Sequence, residues 1–404
     1  MMMNGMQTRK RDAGGIQPVP GQLIHLTVHS REHYYGVNGP AETSVLQDEN
    51  PKWNDWRWQV RHRITNAEDL SHVIPLSEEE KDNISRCLEN FRMAITPYYA
   101  SLIHPEDPLD PIRRQCVPSI EETYPCENDL TDPLNEDGDS PVPHIVHRYP
   151  DRVLFLVTLQ CSTYCRHCTR RRLVGEEDRL ISEAALQKAL AYIREHEEIR
   201  DVLISGGDPL VMATERLEHI IAGLRAIPHV DIIRIGTRVP VVLPMRITDE
   251  LLTMLKKYQP IWINTHFNHP QELTPESERA CQAIADAGIP LGNQTVLLAG
   301  INDNLPTMKE LMIRLVHNRV RPYYIYQCDL SRGIGHFRTR VETGIEIMHG
   351  LQGWISGFAV PKYVIDAPGG GGKVPINYDY VISRDDREVV MENFKGNIYR
   401  YPQP

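Results

Sequence analysis

The chain has 404 residues, with 44 lysines and arginines against 54 aspartates and glutamates, a formal net charge of −10. That balance argues against a general nucleic-acid binder, while 41% hydrophobic residues are enough for a sizeable core and exclude a wholly disordered chain. Nowhere do 18 or more apolar residues run together, so no membrane-spanning helix is expected. The basic start MMMNGMQTRKRDAGG also lacks the apolar stretch of a secretory signal, and a cytoplasmic enzyme is expected.

Residues 1–50 are polar and rich in Gly, Pro and His, and read as a flexible N-terminal arm. From 53 to about 103 the pattern is helical, and Thr65-x-x-Glu68 and Ser77-x-x-Glu80 have the form of capping boxes at helix starts. Residues 104–150, rich in Pro and Asp, read as an extended connection. Beyond 150, short β-branched runs at 153–159, 201–205, 232–236, 261–266, 292–298 and 323–328 alternate with helical patterns such as 182–196, 249–258 and 276–288. After a first gap of about 50 residues their spacing settles near 30, the length of a βαβ unit. Six such units predict an α/β fold, a partial and open (β/α)6 barrel over 151–340. It follows a helical extension and connection over 51–150 and precedes a C-terminal segment over 341–404.

The polar residues fall where these strands end, the edge on which α/β barrels place active sites. Three cysteines follow the first strand, Gly206-Gly207-Asp208 the second, Thr237-Arg238 the third and Thr265-His266 the fourth. Asn293-Gln294 lie in the fifth strand region and Asp329 follows the sixth.

Five of the eight cysteines (87, 116, 126, 281 and 328) are scattered and read as small hydrophobes. The others form Cys161-x3-Cys165-x2-Cys168. Three thiolates in a tight loop suit three irons of a [4Fe–4S] cluster, and the missing fourth cysteine leaves one iron open to a small chelating molecule. The amino and carboxylate groups of S-adenosylmethionine (SAM) suit that position. The alternative, a zinc knuckle, needs a fourth ligand that only the adjacent His167 offers. Gly206 and Gly207 let backbone approach a ligand closely, and an ordinary βα turn is the plainer reading of that pair. The candidate SAM contacts at the strand ends are Gly206, Gly207, Asp208, Thr237, His266 and Gln294.

In DAPGGGGK (366–373), the Walker pattern fails at Ala367 and Val374. A lysine on a side-chain-free loop remains, either a surface lysine or a Schiff-base anchor for pyridoxal phosphate (PLP). Arg170-Arg171-Arg172 follow the cysteines, and an arginine at a barrel mouth suits a carboxylate. Asp329 and Asp366 are two further strand-end acids, which repel unless a cation lies between them. A substrate ammonium or a structural salt bridge would supply it.

Together, CSTYCRHCTRRR (161–172), Asp329 in YYIYQCDLS and DAPGGGGK resemble the PLP-dependent radical SAM lysine 2,3-aminomutases, from about residue 53 to the C-terminus. The resemblance implies an isomerase converting L-lysine to β-lysine, with SAM as a regenerated cofactor. It assigns the cluster to Cys161, Cys165 and Cys168 and PLP to Lys373. Arg170 takes the substrate α-carboxylate, Asp329 and Asp366 the distal ammonium, and Arg148 and Arg152 the PLP phosphate. His167 falls between SAM and PLP. It further implies a homo-oligomer and an external one-electron reductant of the flavodoxin or ferredoxin type, with no nucleic-acid or membrane partner.

The family's long-studied members carry a cysteine-rich zinc-binding tail. This chain has Gly300-Ile-Asn-Asp-Asn304 and GNIYRYPQP instead, so structural zinc is not expected. Members acting on glutamate replace the two aspartates, so retention of both points to a cationic side chain. A buried carboxylate left without its cation costs on the order of 3–5 kcal/mol, about two to four decades against glutamate. Arginine is the competing substrate, and Arg332 and Gly335 are candidates for reshaping the distal pocket. A rival of another class, a non-catalytic iron–sulfur redox protein, has no use for the Lys373 loop.

Overall fold

The β-branched runs fold as strands because each alternates a core-facing with an outward residue, and the helical patterns between them carry one apolar stripe. In the helix Glu183–Glu195, Leu186, Ala189, Leu190 and Ile193 are buried, and Ser182 caps the first turn. The structure, a computed structural model, describes residues 50–174 and 180–404. The expected arm over 1–50 lies outside the described residues but for Asn50.

Among the described residues, nine strands form one sheet in chain order. They are β1 (Ile145–Tyr149), β2 (Arg152–Thr158), β3 (Asp201–Gly206), β4 (Ile232–Gly236), β5 (Ile261–Thr265), β6 (Leu291–Leu297), β7 (Val320–Gln327), β8 (Lys362–Ala367) and β9 (Gly372–Pro375). The six expected parallel strands are β2 to β7. The sheet continues past them. After the helix Val341–Leu351, β8 joins β7 in parallel, and β1 and β9 close the two ends antiparallel. One sheet therefore runs through residue 340, and Asp366 and Lys373 face each other as register partners on β8 and β9. The open barrel curls until Tyr149 of β1 reaches β9, where its hydroxyl accepts the Lys373 N–H at 3.0 Å.

Two local expectations change. Ser77 and Glu80 form the predicted capping box of the helix Glu78–Leu88. Thr65 and Glu68 do not, because Asn66 caps the helix Ala67–Ser71 by accepting from Asp69 N–H; Asn is the stronger N-cap and sits one residue nearer. Nor is 104–150 merely extended. Asp110 and Pro111, an N-cap followed by a proline at the first helical position, start the helix Pro111–Cys116, and β1 closes the segment.

The extension and the barrel share one continuous hydrophobic core from Trp53 to Tyr363. The strands β10 (Val381–Arg384), β11 (Glu388–Glu392) and β12 (Ile398–Pro402) form a separate antiparallel sheet, on which Ile382, Ile398, Tyr399 and Tyr401 are exposed. No helix among the described residues is long and apolar enough to cross a membrane.

Candidate active site

The cysteine loop leaves β2 and is sewn to its surroundings by backbone. Tyr164 N–H donates to the Ala94 carbonyl at 2.8 Å and Arg166 N–H to the Gln115 carbonyl at 2.9 Å, while Arg63 Nη1 reaches the Cys161 carbonyl at 2.5 Å. The helical extension is thus the seat of the loop. From the other side, Gly207 and Asp208 N–H groups donate to the Thr158 and Gln160 carbonyls at 2.6 and 2.8 Å. A Cβ on Gly206, which has φ +130°, would collide with the Thr158 carbonyl, and one on Gly207 with that of Gln160. The close approach expected of these glycines is therefore made to the chain itself: they strap the cysteine loop to β3.

Beneath the loop, Glu122 is fully buried between Arg166 and Arg171, with contacts of 2.5 Å to each. Burial works against its charge, but the two guanidiniums outweigh it and hold the carboxyl below its usual range. The three consecutive arginines all meet acids of this chain: Arg170 grips Glu136 through Nε and Nη2 at 2.7–2.9 Å, Arg171 meets Glu122, and Arg172 meets Asp132 and Asp137.

Cys161, Cys165 and Cys168 are half-buried free thiols. Among the described residues no three His, Cys, Asp or Glu side chains converge on a single ion. A cluster does not require such convergence, because it takes one thiolate at each of three irons. Burial, and then the charge of Cys165, pushes Cys168 up to about 11, and Cys161 is also raised by burial and by Asp208. Thiolates packed this way need positive metal ions between them, which fits an iron–sulfur cluster.

Around the loop stand the candidate SAM residues. His167 Nδ1, Ser162 Oγ and Thr265 Oγ1 are buried without a hydrogen-bond partner among the described residues, and such orphaned atoms fit a polar ligand. Burial and the charges of Arg238 and His266 push His167 well below its usual range. His266, held near 4 by burial and Arg238, donates from Nδ1 to the Gln294 carbonyl at 3.1 Å. Asp208 and Thr237 bond to each other at 2.7 Å, and Asp208 also accepts from Arg238 N–H. That pair ties the end of β3 to the end of β4.

On the opposite side of Cys168, Thr169 donates its hydroxyl to Asp329 at 2.7 Å, so the cysteine loop and the end of β7 share one side-chain bond. Burial and the neighbouring Asp366 charge push Asp329 up to about 6, against Thr169, Lys373 and Arg170. Lys373 Nζ lies 2.9 Å from Asp366 and 5.0 Å from the Tyr326 ring centre. In the preceding loop Gly369, Gly370 and Gly372 have φ of +72°, +89° and +80°, conformations that suit glycine and turn the chain back so that Lys373 faces Asp366. A lysine delivered this way, beside a tyrosine face, fits PLP. Arg152 stacks on Tyr149 at 3.8 Å and pairs with Asp151 at 2.7 Å; Arg148 is committed to Asp139 at 2.7 Å and to the Leu134 carbonyl.

Arg332 and Gly335 follow Asp329 in the chain. After Asp329 the chain bridges Ser331 to Leu130, and Arg332 is exposed while Gly333 and Ile334 are buried. Arg332 then lines a small surface cavity with Phe91, Glu122 and Tyr124, and Gly335 packs against Cys126. The reading from sequence missed Glu122, Glu136, Thr169, Glu272 and Tyr326, and passed over Arg238 beside Thr237.

Residues 155–312 match the family model for the radical SAM superfamily and residues 348–404 that for lysine-2,3-aminomutase. The chain is 59% identical to the L-lysine 2,3-aminomutase of Clostridium subterminale, over 87% of this chain and 85% of that protein. It is 60% identical to that of Fusobacterium nucleatum, over 94% and 87%, and 47% identical to the glutamate 2,3-aminomutase of Clostridioides difficile, over 88% and 84%. With relatives this similar matched along most of both lengths, the chain belongs to the lysine 2,3-aminomutase family.

Proposed function

We propose that this isomerase moves the α-amino group of L-lysine to Cβ, giving β-lysine. The observation that carries the reading is the acidic pair at the end of the barrel: Asp366 already holds an ammonium, that of Lys373, at 2.9 Å, and Asp329 feels the same charge. With Lys373 engaged by PLP, that position falls to the distal ammonium of the substrate. Cys161, Cys165 and Cys168 would hold the cluster, the buried polar groups around His167 would hold SAM, and Lys373 would hold PLP, its phosphate met by Arg152 and Arg148. Bound together, these groups supply a reductively generated carbon radical and an electron-delocalising ring for amino migration.

The chain's own contribution is binding, orientation and exclusion of water. Arg170 keeps Nη1 clear of its Glu136 bonds and offers it to the substrate α-carboxylate, with Glu136 fixing the plane of the fork. Thr169 holds Asp329 in place. The Cys168–Thr169–Arg170 sequence sets the cluster loop and both ends of the substrate within one turn of chain, so the reacting carbon need travel little. The Asp366 side chain is only 6% exposed and burial pushes the Asp329 carboxyl up, so an acid left without its cation is costly, about two to four decades against glutamate.

A cytoplasmic homo-oligomer, fed by an external one-electron donor of flavodoxin or ferredoxin type, completes the reading. The test is anaerobic reconstitution with iron, sulfide, PLP, SAM and dithionite, with lysine, arginine, ornithine and glutamate offered together. Mass spectrometry is expected to find β-lysine. β-Arginine would keep the mechanism and move the substrate, and β-glutamate would overturn the role of the acidic pair.

A further inference from the structure

Arg238, at the end of β4, is a buried guanidinium with every edge occupied. Its Nη1 donates to the Cys165 sulfur at 2.8 Å. Its Nη2 meets Tyr99 Oη, Gln115 Oε1 and Glu272 Oε1 at 3.1, 2.6 and 2.7 Å, and Nε reaches the His266 carbonyl at 3.3 Å. Glu272 is itself fully buried and saturated, accepting from Tyr99 Oη at 2.7 Å and from the Asn268 and His269 N–H groups at 2.5 and 3.0 Å. Nothing in this arrangement is free to swing: Glu272 aims the fork, and the fork points one N–H at one cysteine sulfur. A structural salt bridge needs only the Glu272 side of the fork; the Cys165 contact places its positive end against a thiolate.

We propose that Arg238 is a positioning residue that sets the reduction potential of the iron–sulfur cluster through its hydrogen bond to Cys165, with Glu272 as the counter-charge that tempers it. The inference rests on the reading that Cys165 holds a cluster iron. Taking one electron from an external donor lowers the cluster from the 2+ to the 1+ level, and part of the added charge falls on the ligating sulfurs. A donor and positive charge at Cys165 stabilise that reduced level and raise the potential. Glu272 acts in the opposite sense by neutralising part of the guanidinium charge.

The two partners therefore predict opposite signs. In reconstituted holoenzyme titrated with dithionite and followed by the EPR signal of the reduced cluster, Arg238→Gln is expected to shift the midpoint to more negative values. The expected shift is at least tenfold in the reduction equilibrium, about 59 mV for one electron. Glu272→Gln is expected to shift it to more positive values, and Arg238→Lys, which keeps the charge, to recover most of the Arg238→Gln shift. Loss of packing alone would not produce opposite signs from two members of one salt bridge. An unchanged midpoint in Arg238→Gln, or shifts of the same sign in Arg238→Gln and Glu272→Gln, overturns the inference. Should the variants fail to retain a cluster, wild-type enzyme carrying guanidino-15N arginine decides the matter: pulsed EPR of the reduced cluster is expected to show a 15N coupling, and its absence overturns the inference. A wild-type protein with no cluster signal at all would instead overturn the reading of the cysteines.

Discussion

The Lys373 ammonium lies 2.9 and 3.1 Å from the two carboxylate oxygens of Asp366, and the two residues face each other in register across β8 and β9. The strand pairing fixes this distance, so the acid that is expected to grip the substrate also holds the lysine that is expected to anchor PLP. Asp366→Asn keeps the shape and removes the charge. Hydrogen bonds to charged groups contribute about 1.5–3 kcal/mol, so kcat/KM for lysine is expected to fall by about one to two decades. Iron content and the absorbance of PLP on Lys373 stay as in the wild type. Unchanged lysine kinetics would remove Asp366 from the substrate site.

The pH dependence follows from Asp329. Its carboxyl, pushed up to about 6 by burial and by Asp366, must be ionised to attract an ammonium. As pH falls through that value the site takes up a proton and loses its attraction for a cation. In a pH series kcat/KM for lysine is therefore expected to decline below about pH 6, and the residual activity of Asp329→Asn to lack this acidic limb. A profile that is flat across pH 5–7 in the wild type would contradict the assignment.

Stability of the cysteine loop is expected to depend on Glu122. Among the described residues it is the acid paired with both Arg166 and Arg171, and both arginines flank Cys168 in sequence. Glu122→Ala leaves two buried guanidiniums without their shared counter-charge, a change of about 3–5 kcal/mol. Thermal unfolding would report a lower Tm, and reconstitution a lower iron content per chain. A variant with wild-type Tm and full iron would show that the pair contributes little net stability.

The barrel was legible because its strands and helices are written in local periods of two and 3.6, and the strand ends because polar residues break those runs. Cys161, Cys165 and Cys168 were legible for the same reason: their spacing is short. The acids that organise the site were not. Glu122 and Glu136 sit in a Pro- and Asp-rich stretch that reads as solvated chain, and meet their arginines 30 to 50 residues later only through tertiary packing. Arg238 and Glu272 face the same difficulty across 34 residues. The seventh parallel strand, β8, was hidden because DAPGGGGK, whose first two residues end it, drew attention as a motif and not as part of a sheet.

Arg170 provides the last test, because its carboxylate-binding geometry is visible in the chain itself. Its fork holds Glu136 through Nε and Nη2 at 2.7–2.9 Å, in a setting where burial opposes its charge and Glu136 more than restores it. A lysine at this position keeps the charge but presents a single point, unable to hold Glu136 and a substrate carboxylate in one plane. Arg170→Lys is therefore expected to raise KM for lysine and lower kcat/KM by about one to two decades. Cluster EPR and PLP absorbance remain those of the wild type. Decarboxylated substrate, 1,5-diaminopentane, provides the control: its binding, read as displacement of PLP from Lys373, is expected to be the same in both proteins. If Arg170→Lys weakened lysine and the diamine equally, Arg170 would be acting on the pocket as a whole and not on the carboxylate.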